Sequence, residues 1–251
     1  MGNNGIYALT PGKESIFTIE VPTIKYGEGA LSELGQDAKS FGMTRVAVFT
    51  DPVLAELPAV EIALKALKGE GLDFEVYSQT EVEPTDTSFM NAAAFVKEGG
   101  FDGLVSVGGG SVIDTAKAAN LFATHPADFL TYVNAPIGSA QPIPGPLMPH
   151  IACPTTSGTG SECTGITICD IQSLKLKSGI AHSYLRPSLA LIDPVVTHTM
   201  PANVLASTGF DVLTHAIESY TARPFTSRDA PDGPSKRPMS QGANPYSDHG
   251  S

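Results

Sequence analysis

Tryptophan is absent, cysteine occurs three times and positive charge is scarce in this chain of 251 residues. Each shortage excludes something. Cys153, Cys163 and Cys169 are odd in number and show no C-x-x-C spacing, which argues against a disulfide framework and a structural zinc knuckle and leaves reduced, partly buried thiols. Fifteen Lys plus Arg stand against 26 Asp plus Glu, a formal net charge of −11. Holding a phosphate backbone needs clustered positive charge, so nucleic acid is not an expected partner. No stretch approaches the roughly 18 continuous apolar residues of a membrane span, so no membrane partner is expected either. Met1-Gly2-Asn3-Asn4-Gly5 has neither the basic nor the apolar part of a secretory leader. Ile6 stands where a myristoylation signal needs Ser or Thr. Together these absences lead to the expectation of a soluble, cytoplasmic chain, and no internal repeat is visible.

What is present is a composition of 41% apolar and 16% charged residues, enough for one well-buried domain and the start of a second. From Phe17 to about Phe210, short β-rich runs alternate with helical stretches, the pattern of a parallel sheet covered by helices. Residues 45–50, 74–77, 103–107 and 150–153 read as strands. Leu31, Leu34 and Ala38 share one helical face, as do Val60, Leu64 and Leu67, and then Phe89, Ala93 and Val96. Glu83-Pro84-Thr85-Asp86 supplies turn and capping residues before the third of these helices. Two long polar connections, 136–149 and 154–162, are candidates for functional loops. The character changes after Ile192-Asp193-Pro194: Pro201 can open a helix that runs through Asp211 to Tyr220. The boundary is placed near 193, giving an α/β domain over 1–193 and an incomplete helical domain over 194–251. In the last 29 residues, Pro, Gly and Ser make up 13, so no amphipathic helix fits and the segment reads as linker. A helical domain that starts and then stops suggests a fragment.

Four features carry chemistry. Gly108-Gly109-Gly110-Ser111 lies between a strand and a helix start, where glycines admit a phosphate close to the backbone and unpaired N–H groups face it. The alternative is a tight turn in which Ser111 and Asp114 make a start resembling a capping box. Asp51 ends a strand, where a carboxylate can accept hydrogen bonds from ribose hydroxyls, or can simply begin a turn with Pro52. Thr155-Thr156-Ser157-Gly158-Thr159-Gly160-Ser161-Glu162 follows a strand directly and offers hydroxyl and amide donors to a ligand. It is not a nucleophile elbow, since no Ser has Gly both two before and two after it. Asp211 and His215 lie four apart on a helix, so they point from one face and can share a metal ion, or form part of a solvent-facing stripe. His249 is a further candidate ligand in a polar tail, and His125, His150, His182 and His198 form no spaced cluster.

Taken together, from about Thr23 to Asp248, these residues resemble the iron-containing (group III) alcohol dehydrogenase family. Residues 108–117 are similar to its pyrophosphate signature, 154–162 to its second cofactor loop, and 209–218 to the helix bearing its first two metal ligands. Residues 82–90, 135–138 and 174–180, and the tail with Arg237-Pro238, Gln241-Gly242, Asn244-Pro245 and Ser247-Asp248, resemble the hydroxyacid-using branch of the family. The tail is then an ordered insertion and no linker.

The resemblance implies an N-terminal dinucleotide-binding α/β domain followed by the start of an all-helical metal-binding domain, as in dehydroquinate synthase-like folds. It implies NAD as cofactor, with Asp51 at the adenosine ribose and Gly108, Gly109, Gly110, Ser111 and Asp114 around the pyrophosphate. Thr155, Thr156 and Thr159 would meet the rest of the cofactor, and Lys177 the nicotinamide ribose. Asp211 and His215 would act catalytically through a divalent metal, Fe2+ or Zn2+, two further histidines lying beyond Ser251. The substrates implied are an alcohol, or 4-hydroxybutyrate with 2-oxoglutarate, in a homo-oligomeric whole protein, with Arg237 at a substrate carboxylate. The rivals are a general NAD(P)-dependent alcohol dehydrogenase and a nucleotide-binding chain without catalysis, with a carbon–oxygen lyase third.

Overall fold

The computed structural model describes residues 5–247, which fall into two compact units, one of Val21–Leu205 and one of the described residues on either side. The larger unit is built on six parallel strands, β1 (Thr23–Tyr26), β2 (Arg45–Phe49), β3 (Asp73–Tyr77), β4 (Gly103–Gly108), β5 (His150–Pro154) and a last strand at Leu189–Ile192. Between β5 and that strand come β6 (Ile166–Ile171) and β7 (Leu176–Ala181), a separate antiparallel hairpin, so the last strand is β8. The order across the large sheet is β1-β8-β5-β4-β2-β3.

Alternation along the strands sorts side chains to two faces. Val46, Val48, Val105 and Val107 pack with Leu34 and Ala38 of α1 (Leu34–Ser40) and with Val60, Ala63 and Leu67 of α2 (Pro58–Gly69). Ala47, Phe49 and Leu104 face the other way, onto Ala92 and Val96 of α3 (Asp86–Gly99) and Val112 and Ala116 of α4 (Gly110–Thr124). Helices therefore cover both faces, the arrangement that near-continuous apolar parallel strands require. Thr85 caps α3, accepting a hydrogen bond from the Ser88 amide, and the Ser88 hydroxyl accepts one from the Thr85 amide.

Every residue of α4 from Val112 to Phe122 is buried, because α3 and the hairpin cover the sides of the helix that the sheet does not. Ala118, Leu121 and Phe122 pack with Cys169, Ile171 and Ile180. His150 and Ser106 share a 2.8 Å hydrogen bond between β4 and β5, and burial pushes the imidazole down to about 3, so it is neutral at physiological pH. All three cysteines are free, and burial raises each thiol, Cys169 to about 12.

The second unit gives the tail a structure of its own. Phe225, Thr226 and Ala243 are buried, Phe225 stacks with Tyr7 and meets Phe17 at a tilt, and Arg237 grips Glu14 with two hydrogen bonds of 2.8 and 3.2 Å. The linker reading of this segment is thus corrected: short 3-10 turns and contacts distant in sequence order it without an amphipathic helix. Helix α5 (Ala202–Thr221) has no buried residue.

Candidate cofactor and metal sites

The chain runs outward from β2 to β3 and then crosses back to β4, so the direction of winding reverses between β2 and β4. In open α/β sheets that reversal leaves a crevice at the carboxyl ends of the strands, where ligands bind. Asp51 follows β2, Gly109 and Gly110 follow β4, and Thr155 and Thr156 follow β5, so three of the loops singled out in the sequence lie on this one edge. The Thr155 amide donates to the Gly108 carbonyl at 3.0 Å, which continues the pairing of β4 with β5 into the loops.

The glycines form a cradle that methyl groups would fill. A Cβ on Gly109 would lie 3.3 Å from Cγ2 of Thr156, and one on Gly110 2.7 Å from Cγ2 of Thr159. Gly109 has φ −77° and ψ −172°, a backbone that any residue adopts, so strain does not demand glycine there. Space does. Gly109 is also the residue before α4; its carbonyl accepts from the amides of Val112 and Ile113, both at 3.1 Å, which leaves the N–H groups at the very start of the helix, at its positive dipole end, for a ligand. An anionic pyrophosphate fits this donor set and this cradle.

Side chains expected around the cofactor have definite partners. Asp51 Oδ1 accepts from the amides of Val53 and Leu54, both at 2.8 Å, while Oδ2 makes no hydrogen bond among the described residues. The turn begun by Asp51 and Pro52 is therefore present, and one oxygen remains for a ribose. Ser111 donates to the Val82 carbonyl and Asp114 does not approach it as in a capping box; no side chain caps α4. Lys177, on β7, pairs with Glu83 at the surface. The hydrogen bond it donates to Glu83 is the chief reason the lysine is held above its ordinary range.

Asp114 is buried, and both of its oxygens are engaged within the chain. Oδ1 accepts from the Ser161 hydroxyl at 2.8 Å and Oδ2 from the Ile168 amide at 2.9 Å, and Lys117 Nζ lies 3.5 Å from Oδ1. Lys117 itself is 1% exposed and donates to the Ile166 carbonyl at 2.7 Å and to Thr164 Oγ1 at 3.2 Å. Burial pushes the carboxyl up and the ammonium down, and their attraction opposes both shifts. Sequence reading passed over Lys117. The one available signal was a lysine inside an otherwise apolar helix, a charge that must be paired if buried.

On α5, Asp211 Oδ1 and His215 Nε2 are 3.9 Å apart and both side chains are exposed. Their chemistry suits a divalent transition metal, and their spacing lets both reach one ion. Among the described residues no group of three or more His, Cys, Asp or Glu could hold a metal. His249 lies outside the described residues. Arg237 faces a carboxylate, that of Glu14, in a cavity of about 490 Å3 lined also by Arg228, Lys236 and Gln241.

Residues 22–194 match the family model described as iron-containing alcohol dehydrogenase. The mitochondrial hydroxyacid-oxoacid transhydrogenase of Bos taurus is 53% identical over 234 residues, covering 92% of this chain and 50% of the relative. The chain spans about half the length of the curated relatives it matches. A crystal structure of 1,3-propanediol oxidoreductase superposes with a TM-score of 0.80 at 29% identity, over 93% of this chain and 56% of that one. Sulfoacetaldehyde reductase from Bifidobacterium kashiwanohense, solved in complex with NAD+, gives 0.74 at 28% identity, over 82% and 53%.

These relatives correct one expectation. The transhydrogenases are named as mitochondrial, in Bos taurus, Mus musculus and Homo sapiens alike, which overturns the cytoplasmic assignment. The error was to reason from an absence: the missing parts of a secretory leader say nothing of other targeting signals, and a mitochondrial presequence, amphipathic and Arg-rich, is a different one. With the signature loops, the sheet order and a family match across most of the larger unit in agreement, this chain belongs to the iron-containing alcohol dehydrogenase family.

Proposed function

We propose that the chain binds NAD in the crevice between β2 and β4, and that the whole protein moves a hydride from 4-hydroxybutyrate to 2-oxoglutarate through that cofactor. The observation that carries the cofactor reading is the meeting of the glycine loop with Thr156 and Thr159 at the carboxyl edge of the sheet. The substrate reading is supported by the likeness to the transhydrogenases. When bound, NAD would supply the hydride acceptor and a divalent metal would supply polarisation of the substrate oxygen. The chain's own residues bind and orient: the α4 N-terminus takes the pyrophosphate, Asp51 Oδ2 the adenosine ribose, and Asp211 and His215 part of the metal's coordination. Arg237 has the planar fork that carboxylate recognition needs, and in this structure that fork is engaged by the chain's own Glu14. Replacing Arg237 by alanine raises the KM for the hydroxyacid on this reading.

The test is to supply the whole protein with 4-hydroxybutyrate, 2-oxoglutarate and NAD in far less than stoichiometric amount. Oxidation of the first that keeps pace with reduction of the second supports transhydrogenation. Oxidation that stops when free NAD is consumed, with the oxoacid giving no acceleration, identifies a general alcohol dehydrogenase instead.

Asp51 also sets cofactor choice. Its carboxylate repels a 2′-phosphate, and no arginine follows it closely in sequence to neutralise one. In fluorescence titrations NADPH is expected to bind at least about tenfold more weakly than NADH, one like-charge contact near the surface being on the order of 1 kcal/mol or more. Equal or tighter binding of NADPH would remove Asp51 from the ribose.

A further inference from the structure

We propose that Lys117 and Asp114 are positioning residues, which hold the segment 159–168 against the glycine loop and so form the dinucleotide crevice before the cofactor arrives. The inference rests on the cofactor reading above and adds to it how the second wall of the site is built.

One wall is rigid by packing: α4 is seated on the sheet through Val112 and Ala116. The other wall, around Thr159, belongs to a long loop of small polar residues that has little apolar surface with which to dock. What fixes it is polar. Ser161 and Ile168 donate to the two oxygens of Asp114, Thr167 Oγ1 donates to the Asp114 carbonyl at 2.9 Å, and Lys117 donates to Thr164 and to the Ile166 carbonyl. Ser161 is joined in turn to Thr159, whose hydroxyl accepts from the Ser161 amide at 3.2 Å. A single turn of α4 thus anchors the segment at five points, and the chain of bonds ends at the side chain packed against Gly110.

Burying an ammonium and a carboxylate is a poor way to gain stability, since apolar side chains of similar volume often do as well or better. It is an effective way to specify one arrangement, because each donor and acceptor has one position that satisfies it. A wall held in its bound position loses less freedom when ligand binds, and affinity rises accordingly.

The experiment compares the 251-residue chain with Lys117→Met, with Ser161→Ala, and with the double variant Asp114→Asn/Lys117→Met. The readouts are NADH titration, thermal unfolding and amide hydrogen exchange. Lys117→Met is expected to speed exchange across 159–166 while leaving β4 and β5 protected, and to weaken NADH binding about tenfold or more. Ser161→Ala, which removes one hydroxyl and little else, shows a smaller loss of the same kind and stands in if Lys117→Met does not fold. The double variant leaves no unpaired buried charge, so it regains thermal stability without regaining NADH affinity. Affinity that returns with stability gives the pair a merely structural role and overturns the proposal. So does unchanged affinity in Lys117→Met or, where that variant does not fold, in Ser161→Ala. If the parent chain itself fails to bind NADH, the cofactor reading is what fails, and this proposal falls with it.

Discussion

Mixed with ferrous iron or zinc and then desalted, the 251-residue chain is expected to retain far less than one metal per molecule and to oxidise alcohols at no measurable rate. Catalytic metals take about three ligands from protein and keep one position for substrate. Asp211 and His215 provide two, both exposed, on a helix with no buried residue, and the described residues contain no third donor close enough. Exposure matters as much as number. A ligand pair in water holds an ion whose remaining positions are filled by water, and without surrounding hydrogen bonds neither side chain is fixed for the metal. Adding the metal in excess does not help, because the substrate oxygen then competes with solvent at an ion that the chain barely retains. NADH binding is expected to survive, since the crevice between β2 and β4 lies wholly within the larger unit. One tightly held metal per chain, with turnover like that of a full-length relative, would falsify this account, and His249 would be the first residue to replace in finding out how the site is completed.

Gly109→Val is expected to weaken NADH binding about 10- to 100-fold, the range set by losing one hydrogen bond to a charged group at about 1.5–3 kcal/mol. Its thermal stability should hardly change. The backbone at Gly109 suits any residue, the added Cβ meets Thr156 at 3.3 Å, and a small shift of that half-exposed threonine accommodates it. What cannot be accommodated is a phosphate in the same space. Gly108→Ala is the control with the opposite balance. Its Cβ would lie 2.5 Å from Cγ2 and 2.6 Å from Cβ of Val112, both buried between sheet and α4, and overpacking of that kind costs about 1–3 kcal/mol. Titration and melting curves on the two variants separate the roles. If Gly109→Val binds NADH as tightly as the parent does, the pyrophosphate lies elsewhere.

Much of the larger unit was legible because its signals are local. β2 to β5 announce themselves as apolar runs between turn residues, and Thr85 as a cap three residues before Ser88. The hairpin β6–β7 was legible only in part. Its turn, Gln172-Ser173-Leu174-Lys175, puts a lysine at φ 52° where glycine or asparagine is the usual marker, so nothing in the sequence announced a reversal. The role of Asp114 was illegible for another reason. Spacing offered Ser111 as a capping partner and family resemblance offered the cofactor, whereas its actual partners, Ser161 in the loop after β5 and Ile168 on β6, lie about fifty residues on. Lys117 was hidden in the same way. In the tail, composition correctly excluded a helix but could not foresee that Arg237 would find Glu14 near the opposite end of the sequence.

The sheet order also imposes a sequence of events in time. β1 has β8 as its one neighbour in the sheet, Thr23 lying beside Leu189. During synthesis, β2, β3, β4 and β5 can pair with one another as soon as Pro154 has left the ribosome. The strand made first must meanwhile wait without a ladder partner until Ile192 emerges. Its exposed Ile24 and Tyr26 are then available for misplaced pairing through most of the chain's manufacture. The edge that begins the unit is therefore the last to close, at the far margin of the sheet from β3. The strands that frame the crevice can be in place before β1 has found its partner.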